Sequence, residues 1–256
     1  MIITLTPTSI ENVRPALDTH VRGLVSPIDS FLEEHIFMSA YYHIRLADEV
    51  IGWTAIHRDS LITQFALAHA YRHYGQRIFH MVRKLDQVQA AFVPTCDEFF
   101  LAHALDDYRR LEKQAYFFQP RPDTPRVSVP PSFTTRFADP SDIPAITAHS
   151  GDFFDRMAER IAAEQIHVVQ RDGTTVGYGI IEKGVLDQRF ASVGMFVRED
   201  ERRTGVGTSI IRLMMDECLR HGLKPIAGCW YYNHRSKRTL EKAGLFSQTR
   251  LLRVEL

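Results

Sequence analysis

Cysteine is scarce. The 256 residues hold three, Cys96, Cys218 and Cys229, far apart and with no C-x-x-C pair. That spacing excludes a disulfide framework and a thiolate zinc site, and it fits a reducing compartment. An excess of one charge is also missing. Lys and Arg number 31, as do Asp and Glu, for a formal net charge of zero, which argues against a broad basic footprint for nucleic acid. No apolar run approaches the roughly 18 residues of a membrane helix. The first residues, Met1-Ile2-Ile3-Thr4-Leu5-Thr6, lack the basic segment, apolar core and cleavage site of a signal peptide. The expectation is a soluble, cytoplasmic protein with neither nucleic acid nor membrane as partner. Histidine is better represented, at 12, eight of them before residue 120. None falls in H-E-x-x-H or a comparable ligand pattern, so no metal is expected.

Hydrophobic residues at 45% and charged residues at 24% describe an ordinary globular composition, with length for one large domain or two ordinary ones. Proline divides the chain. Five of its 12 prolines, at 120, 122, 125, 130 and 131, sit in one short stretch that disfavours helix, lacks sheet donors and tends to be extended. Residues 120–132 therefore read as a linker between domains at 1–119 and 133–256, each long enough to bury a core.

The most informative stretch lies in the second domain. Phe190-Ala191-Ser192-Val193-Gly194-Met195-Phe196-Val197 alternates like a buried or half-buried strand. A charged turn at 198–201 leads into Arg202-Arg203-Thr204-Gly205-Val206-Gly207-Thr208. Apolar residues then recur at helical spacing: Val206, Ile210, Leu213, Met214 and Cys218. Glycines at a strand-to-helix turn let anionic oxygens approach the bare first amides of the helix, at the positive end of its dipole. Arg202 and Arg203 add charge there. The spacing is neither the G-x-G-x-x-G of dinucleotide folds nor a P-loop. A second strand at 225–232 runs into Asn233, a good helix N-cap, and the following segment closes on Gly244, a good residue just past a helix end.

Taken together, the two motifs resemble the GNAT superfamily of acyl-CoA-dependent N-acyltransferases. Arg202-x-x-Gly205-x-Gly207 resembles its pyrophosphate loop, Arg/Gln-x-x-Gly-x-Gly/Ala. Asn233 and Glu241-Lys242-Ala243-Gly244-Leu245 resemble its strand, Asn cap and short helix ending in Glu-Lys-x-Gly-Phe. The resemblance implies an α/β (α+β) GNAT fold, a mixed central sheet flanked by helices in the order β-α-α-β-β-β-α-β-α-β. That sheet splays between its fourth and fifth strands to admit the pantetheine arm. In the second half, strands are expected at 133–137, 166–171 and 175–182, the last two joined by the hairpin signal Asp172-Gly173. A helix is expected from Asp139, another over 151–163, and a last strand at 248–256, so that 133–256 reads as one complete unit. The first half repeats the order more faintly, with strands at 41–46, 50–56 and 61–68. In its loop, Arg72-His73-Tyr74-Gly75-Gln76-Arg77, Arg77 replaces the second glycine. It reads as a second, degenerate GNAT-like domain that binds no coenzyme and walls the acceptor cleft of the other. The alternative roles are stabilising the fold or forming a homodimer.

By the same resemblance, acetyl-CoA is the cosubstrate. The backbone of Met195, Phe196 and Val197 pairs with pantetheine, with the oxyanion donor around Phe196 or Val197. Amides of Arg203, Thr204, Gly205, Val206, Gly207 and Thr208, with Arg202, hold the pyrophosphate, and Asn233 and Ser236 lie near the thiol end. Proton transfer is less determined. The tyrosine acid of many members aligns with Leu240, and their central-strand glutamate has no counterpart in Phe190–Val197. Glu182, Asp187 and His167 remain as candidate bases, with Tyr231, Tyr232 or a water as candidate acids; alternatively the thiolate leaves unprotonated, and a site that only positions a neutral amine needs no base. The expected activity is acetyl transfer to an amine of a small molecule or peptide. The alternative is a non-catalytic acyl-CoA-binding regulator or assembly protein, motivated by Leu240 and the missing glutamate.

Overall fold

The structure, a computed structural model, describes residues 2–85, 87–122 and 128–256. Positions 123–127 of the expected linker lie outside the described residues. The first half contributes β1 (Ile3–Thr8), α1 (Ile10–Gly23), α2 (Ser30–Phe37), β2 (Ser39–Leu46), β3 (Glu49–His57) and β4 (Leu61–Leu67), then α3 (Gly75–Val82), β5 (Ala90–Pro94), α4 (Glu98–Ala104) and β6 (Arg110–Pro120). The second contributes β7 (Phe133–Phe137), α5 (Ile143–Ser150), α6 (Met157–Ala162), β8 (Ile166–Arg171), β9 (Thr174–Lys183) and β10 (Phe190–Val197), then α7 (Val206–Arg220), β11 (Lys224–Trp230), α8 (His234–Lys242) and β12 (Leu245–Glu255). The same order occurs twice, in a mixed α/β architecture.

Local chemistry accounts for many of these boundaries. Asp172 and Gly173 take φ of 51° and 78°, the left-handed pair that a tight hairpin needs. Asp139 and Asp142 form a reciprocal capping box ahead of α5. The Asn233 side chain accepts the Ser236 amide at 3.0 Å and opens α8. One expected helix is interrupted. Over 151–163, a 3-10 turn at Gly151–Phe153 is separated from α6. There Phe154 turns its ring edge-on to Tyr178, and Arg156 adopts a φ of 46°. The helix α2 had no counterpart among the elements expected from sequence.

All twelve strands join one sheet in the order β1-β2-β3-β4-β5-β12-β6-β11-β10-β9-β8-β7. Each half's last strand has crossed over. Residues Leu251 to Glu255 of β12 lie opposite β5, residues Ala115 to Phe118 of β6 lie opposite β11, and β6 and β12 pair with each other at the centre. The strands of residues 133–256 are thus joined in the sheet by a strand of the first half. Without β6, the end of β11 would expose unpaired backbone and β12 would lose a neighbour. Pro120 ends β6 opposite Leu245, so the expected linker begins inside the sheet.

The core is divided by the sheet. Alternate residues of β6 separate two clusters: Ala115 and Phe117 pack with α1 and α2, while Tyr116 and Phe118 pack with α7 and α8. The remaining two clusters lie under α3 and α4 and under α5 and α6. One face thus carries α1, α2, α5 and α6, and the other carries α3, α4, α7 and α8. Because β6 belongs to the second half's sheet, the face bearing α2 reaches under β9, β10 and β11.

Candidate active site

Strands β10 and β11 are parallel neighbours only from Phe190 to Ser192, opposite Lys224 to Ile226. Beyond that point they separate, and β11 turns to β6. The β9 ladder fixes which way the backbone of β10 points. The Phe190 carbonyl accepts from Gly184 N–H at 2.9 Å, and Arg198 N–H donates to the Val176 carbonyl at 3.1 Å. Even-numbered residues therefore bond to β9, and Val193, Met195 and Val197 direct N–H and C=O into the splay. Phe196 spends its backbone on β9. Its ring instead faces Phe153 at 5.4 Å, with the Arg202 guanidinium 6.0 Å above it.

Helix α7 begins at the mouth of this splay. Gly205 holds a φ of 90°, and no side chain caps the helix, so its first amides have no acceptor within the helix. Gly207 is needed for close packing. A Cβ there would lie 2.9 Å from Met195 Sδ and 3.3 Å from Val197 Cγ2, so glycine lets the helix approach β10. The Thr204 hydroxyl donates to the Glu201 carbonyl at 2.7 Å and steadies the loop. Arg203, at a φ of 68°, is exposed. These residues form a strand edge with free hydrogen-bonding groups running up to a bare helix N-terminus, a fitting cradle for an extended amide-bearing arm ending in phosphates.

On the opposite face of the sheet, a cleft of about 310 Å³ lies under the splay. The first half supplies part of its wall: Asp29, Ser30 and Phe31 from the start of α2, and Gln114 and Ala115 from β6. From the second half come Ile180, Glu182, Ser192, Gly194, Gly228 and Trp230, among others. The α2 end is bolted in place. Ser30 N–H donates to Ser192 Oγ at 2.9 Å, Ser30 Oγ donates to Glu182 Oε2 at 2.8 Å, and Glu33 Oε1 accepts the Val185 and Leu186 amides at 2.9 and 2.6 Å. Asp29, only 6% exposed, caps α2 by accepting the Leu32 amide through Oδ1 at 3.1 Å. Its Oδ2 occupies the space that a Cβ on Gly228 would overlap. Burial, reinforced by the neighbouring Glu182 and Glu33 and opposed by the Leu32 amide, pushes the Asp29 carboxyl up to about 7.

The other expected residues are distributed unevenly. Glu182 lies in the cleft, paired to Arg160 Nη1 at 2.6 Å. Asp187 is held by the Arg189 fork at 2.5 Å, and that hydrogen bond holds its carboxyl below the usual range. It lines a smaller pocket of about 110 Å³ at the base of the strands. His167 is buried on β8, where desolvation lowers its affinity for a proton. Tyr231 stacks on Tyr116 at 4.6 Å on the α8 side. A hydrogen bond with Tyr116, helped by Lys113, holds its hydroxyl below the ordinary tyrosine value. Tyr232 is half exposed, with its ring 5.1 Å from Trp230. Leu240 is core. Ser236 gives its amide to the Asn233 cap. Asp29 went unnoticed in the sequence. Its one local signal was a residue of N-cap type three positions before a buried leucine. Among the described residues, no three His, Cys, Asp or Glu come together to hold a metal ion, and no helix is long and apolar enough to cross a membrane.

The interrupted strand pairing, with a bare helix start beside it, defines a class of acyl-transfer protein, and sequence comparison agrees. The family described as "Acetyltransferase (GNAT) domain" matches residues 9–121, and the "Acetyltransferase (GNAT) family" matches residues 132–245. The chain belongs to the GNAT superfamily. More particularly, it carries two GNAT domains in tandem. Three solved structures share the fold over nearly the whole length. An acetyltransferase of the GNAT family from Colwellia psychrerythraea has a TM-score of 0.87 at 15% identity, covering 100% of both chains. A tandem GNAT protein from the clavulanic acid biosynthesis pathway scores 0.67 at 12%, covering 100% of this chain and 98% of the other. A GCN5-related N-acetyltransferase from Sphaerobacter thermophilus scores 0.62 at 12%, covering 99% and 95%. No curated protein matches the sequence.

Proposed function

We propose that the chain is an acyl-CoA-dependent N-acyltransferase that moves an acetyl group from acetyl-CoA to an amine, with its chemistry in the C-terminal half. The observation that carries this reading is the splay beyond Ser192, where Val193, Met195 and Val197 offer unpaired backbone beside the bare start of α7. The pantetheine arm runs along those residues, and the pyrophosphate sits on the amides of 203–208. An N–H of Met195 or Val197 meets the oxygen on which charge develops as the thioester carbonyl is attacked. The amine enters from the α2 face, so the two substrates meet through the gap in the sheet. A binding-only regulator is the competing reading, since Leu240 supplies no hydroxyl to the leaving thiol.

Calorimetric titration with acetyl-CoA tests the site. One binding event per chain is expected, and absence of heat at roughly tens of micromolar, a modest affinity for so many contacts, sinks the reading. Release of free thiol with any member of a panel of amines separates the enzyme from the regulator.

A further inference from the structure

We propose that Asp29, contributed by the N-terminal half, takes the proton from the acceptor's ammonium group in the cleft of the C-terminal half, and that the acceptor is a primary amine with no carboxylate beside its nitrogen. This rests on the acyl-transfer reading of that cleft. Three carboxylates compete for the role, and their bonds separate them. Glu182 is committed to Arg160 and to the Ser30 hydroxyl, and Asp187 to Arg189. Asp29 has no cationic partner among the described residues. One of its oxygens caps α2, and the other projects into the cleft over Gly228, where the missing Cβ makes room for it.

The groups facing Asp29 come from three elements. Helix α2 brings Glu33, whose Oε1 is held by two amides of the turn after β9. From β9 comes Glu182 with its Arg160 partner. Strand β11 brings the Cys229 thiol, pushed up by burial to about 11 and so neutral. Burial holds the proton on Asp29, Glu182 and Glu33 reinforce it and no free cation among these groups offsets it, so the carboxylate exchanges its proton near neutrality. The same arrangement favours an ammonium and repels an anion. The carboxylates Asp29 and Glu182 line the cleft beside the apolar surfaces of Phe31 and Trp230, and Arg160 is already shared between Glu182 and Asp155. An amine with an apolar body fits, whereas the carboxylate of an α-amino acid would face like charge.

The step balances. The ammonium loses one proton to Asp29, and the free amine's lone pair forms the N–C bond at the thioester carbonyl. The C–S bond then breaks with its electron pair on sulfur. The second nitrogen proton ends on that sulfur, giving amide, free thiol and a protonated Asp29, which returns its proton to solvent.

The test uses the full chain, acetyl-CoA, a panel of primary alkyl- and arylalkylamines, and the α-amino acids matching them. Asp29→Asn keeps an oxygen to cap α2 but cannot take the proton, and Gly228→Ala keeps the carboxylate but displaces it. Wild type should turn over amines in preference to amino acids, with kcat/KM falling as pH drops below about 7. Asp29→Asn should lose about 100-fold or more in kcat/KM and lose that acidic limb, with calorimetric affinity for acetyl-CoA unchanged. Gly228→Ala should move kcat in the same direction. Asp29→Asn retaining both the rate and the limb overturns the proposal, as does loss of coenzyme affinity together with rate, or preferred turnover of the amino acids. Failure of the wild type to bind acetyl-CoA overturns the acyl-transfer reading itself, and this inference with it.

Discussion

In the N-terminal half, β4 and β5 pair only through Leu61–Ala90 and Ile62–Ala91 before separating, much as β10 and β11 do in the C-terminal half. Gly52 and Gly177 stand at matching points of the two hairpins, each giving way to a carbonyl of the next strand. From there the halves diverge. Helix α4 lays Phe99 parallel to Phe65, with centroids 5.5 Å apart and planes 9° apart, and brings Phe100 and His103 against the same ring. With α1 and α2 covering the other face at Leu61 and Ala66, every residue of β4 is buried. His103 also occupies the space beside Gly75 that a side chain would need. Gly75 gives its N–H to the Arg72 carbonyl in the preceding 3-10 turn (His69–Tyr74), so the first amide of α3 is already taken. In the C-terminal half, α8 touches Gly207 through Thr239 and leaves Gly194 to Val197 partly exposed. The topology supplies a splay twice. The seating of one helix decides whether it becomes core or cleft.

The comparison can be broken first by separating the halves. Residues 133–256 alone lack β6, so the expected result is no cooperative unfolding transition by circular dichroism, restored by adding residues 1–122. Gly207→Glu in the full chain should come next, weakening acetyl-CoA binding by about 100-fold or more. It forces helix and strand apart and sets a negative charge beside the phosphates. Calorimetry reads this directly. Phe100→Ala should destabilise the protein by about 3–5 kcal/mol in urea titration, because it empties the filling of the closed splay.

Asp29→Asn should have a smaller, pH-dependent effect on stability. A carboxyl raised in the folded state binds protons more tightly there than in the unfolded chain, so its burial costs stability as pH climbs from about 4 to about 7. The variant should therefore be more stable than wild type by about 1–3 kcal/mol at pH 8 and gain nothing at pH 4. The smallest effect is expected of Arg77→Gly. Restoring the second glycine leaves the aromatic filling in place, so acetyl-CoA stoichiometry should stay at one per chain.

What the sequence made legible was what local chemistry decides. Gly205, Gly207 and Asn233 declare a helix start and a cap by their type and spacing, and Arg77 marks where the first half departs from the second glycine. The exchange of β6 and β12 left no such trace, since an alternating strand reads the same beside either neighbour. Helix α2 escaped because eight residues with two or three inward apolar side chains give too short a period to detect. Asp29 escaped for a related reason. Its neighbours Glu182 and Gly228, and with them part of its burial and proton affinity, come from the other half of the chain. The break after Phe153 turns on Phe154 entering the core, a tertiary choice that helix propensity does not foresee.

The crossed strands also set an order of events during synthesis. The open edge of β5 is covered by β12, which is made after every other described element of the second half, so the first half cannot close its sheet while it alone has left the ribosome. It must wait, with β5 held only by β4 at Ala90 and Ala91 and its other edge open, until the residues of β12 emerge. Contacts of such sequence separation are slow to form, and exposed strand edges invite pairing with other chains. The newly made chain should therefore depend most on chaperones until β12 has emerged, and chains cut before Leu245 should be found in aggregates.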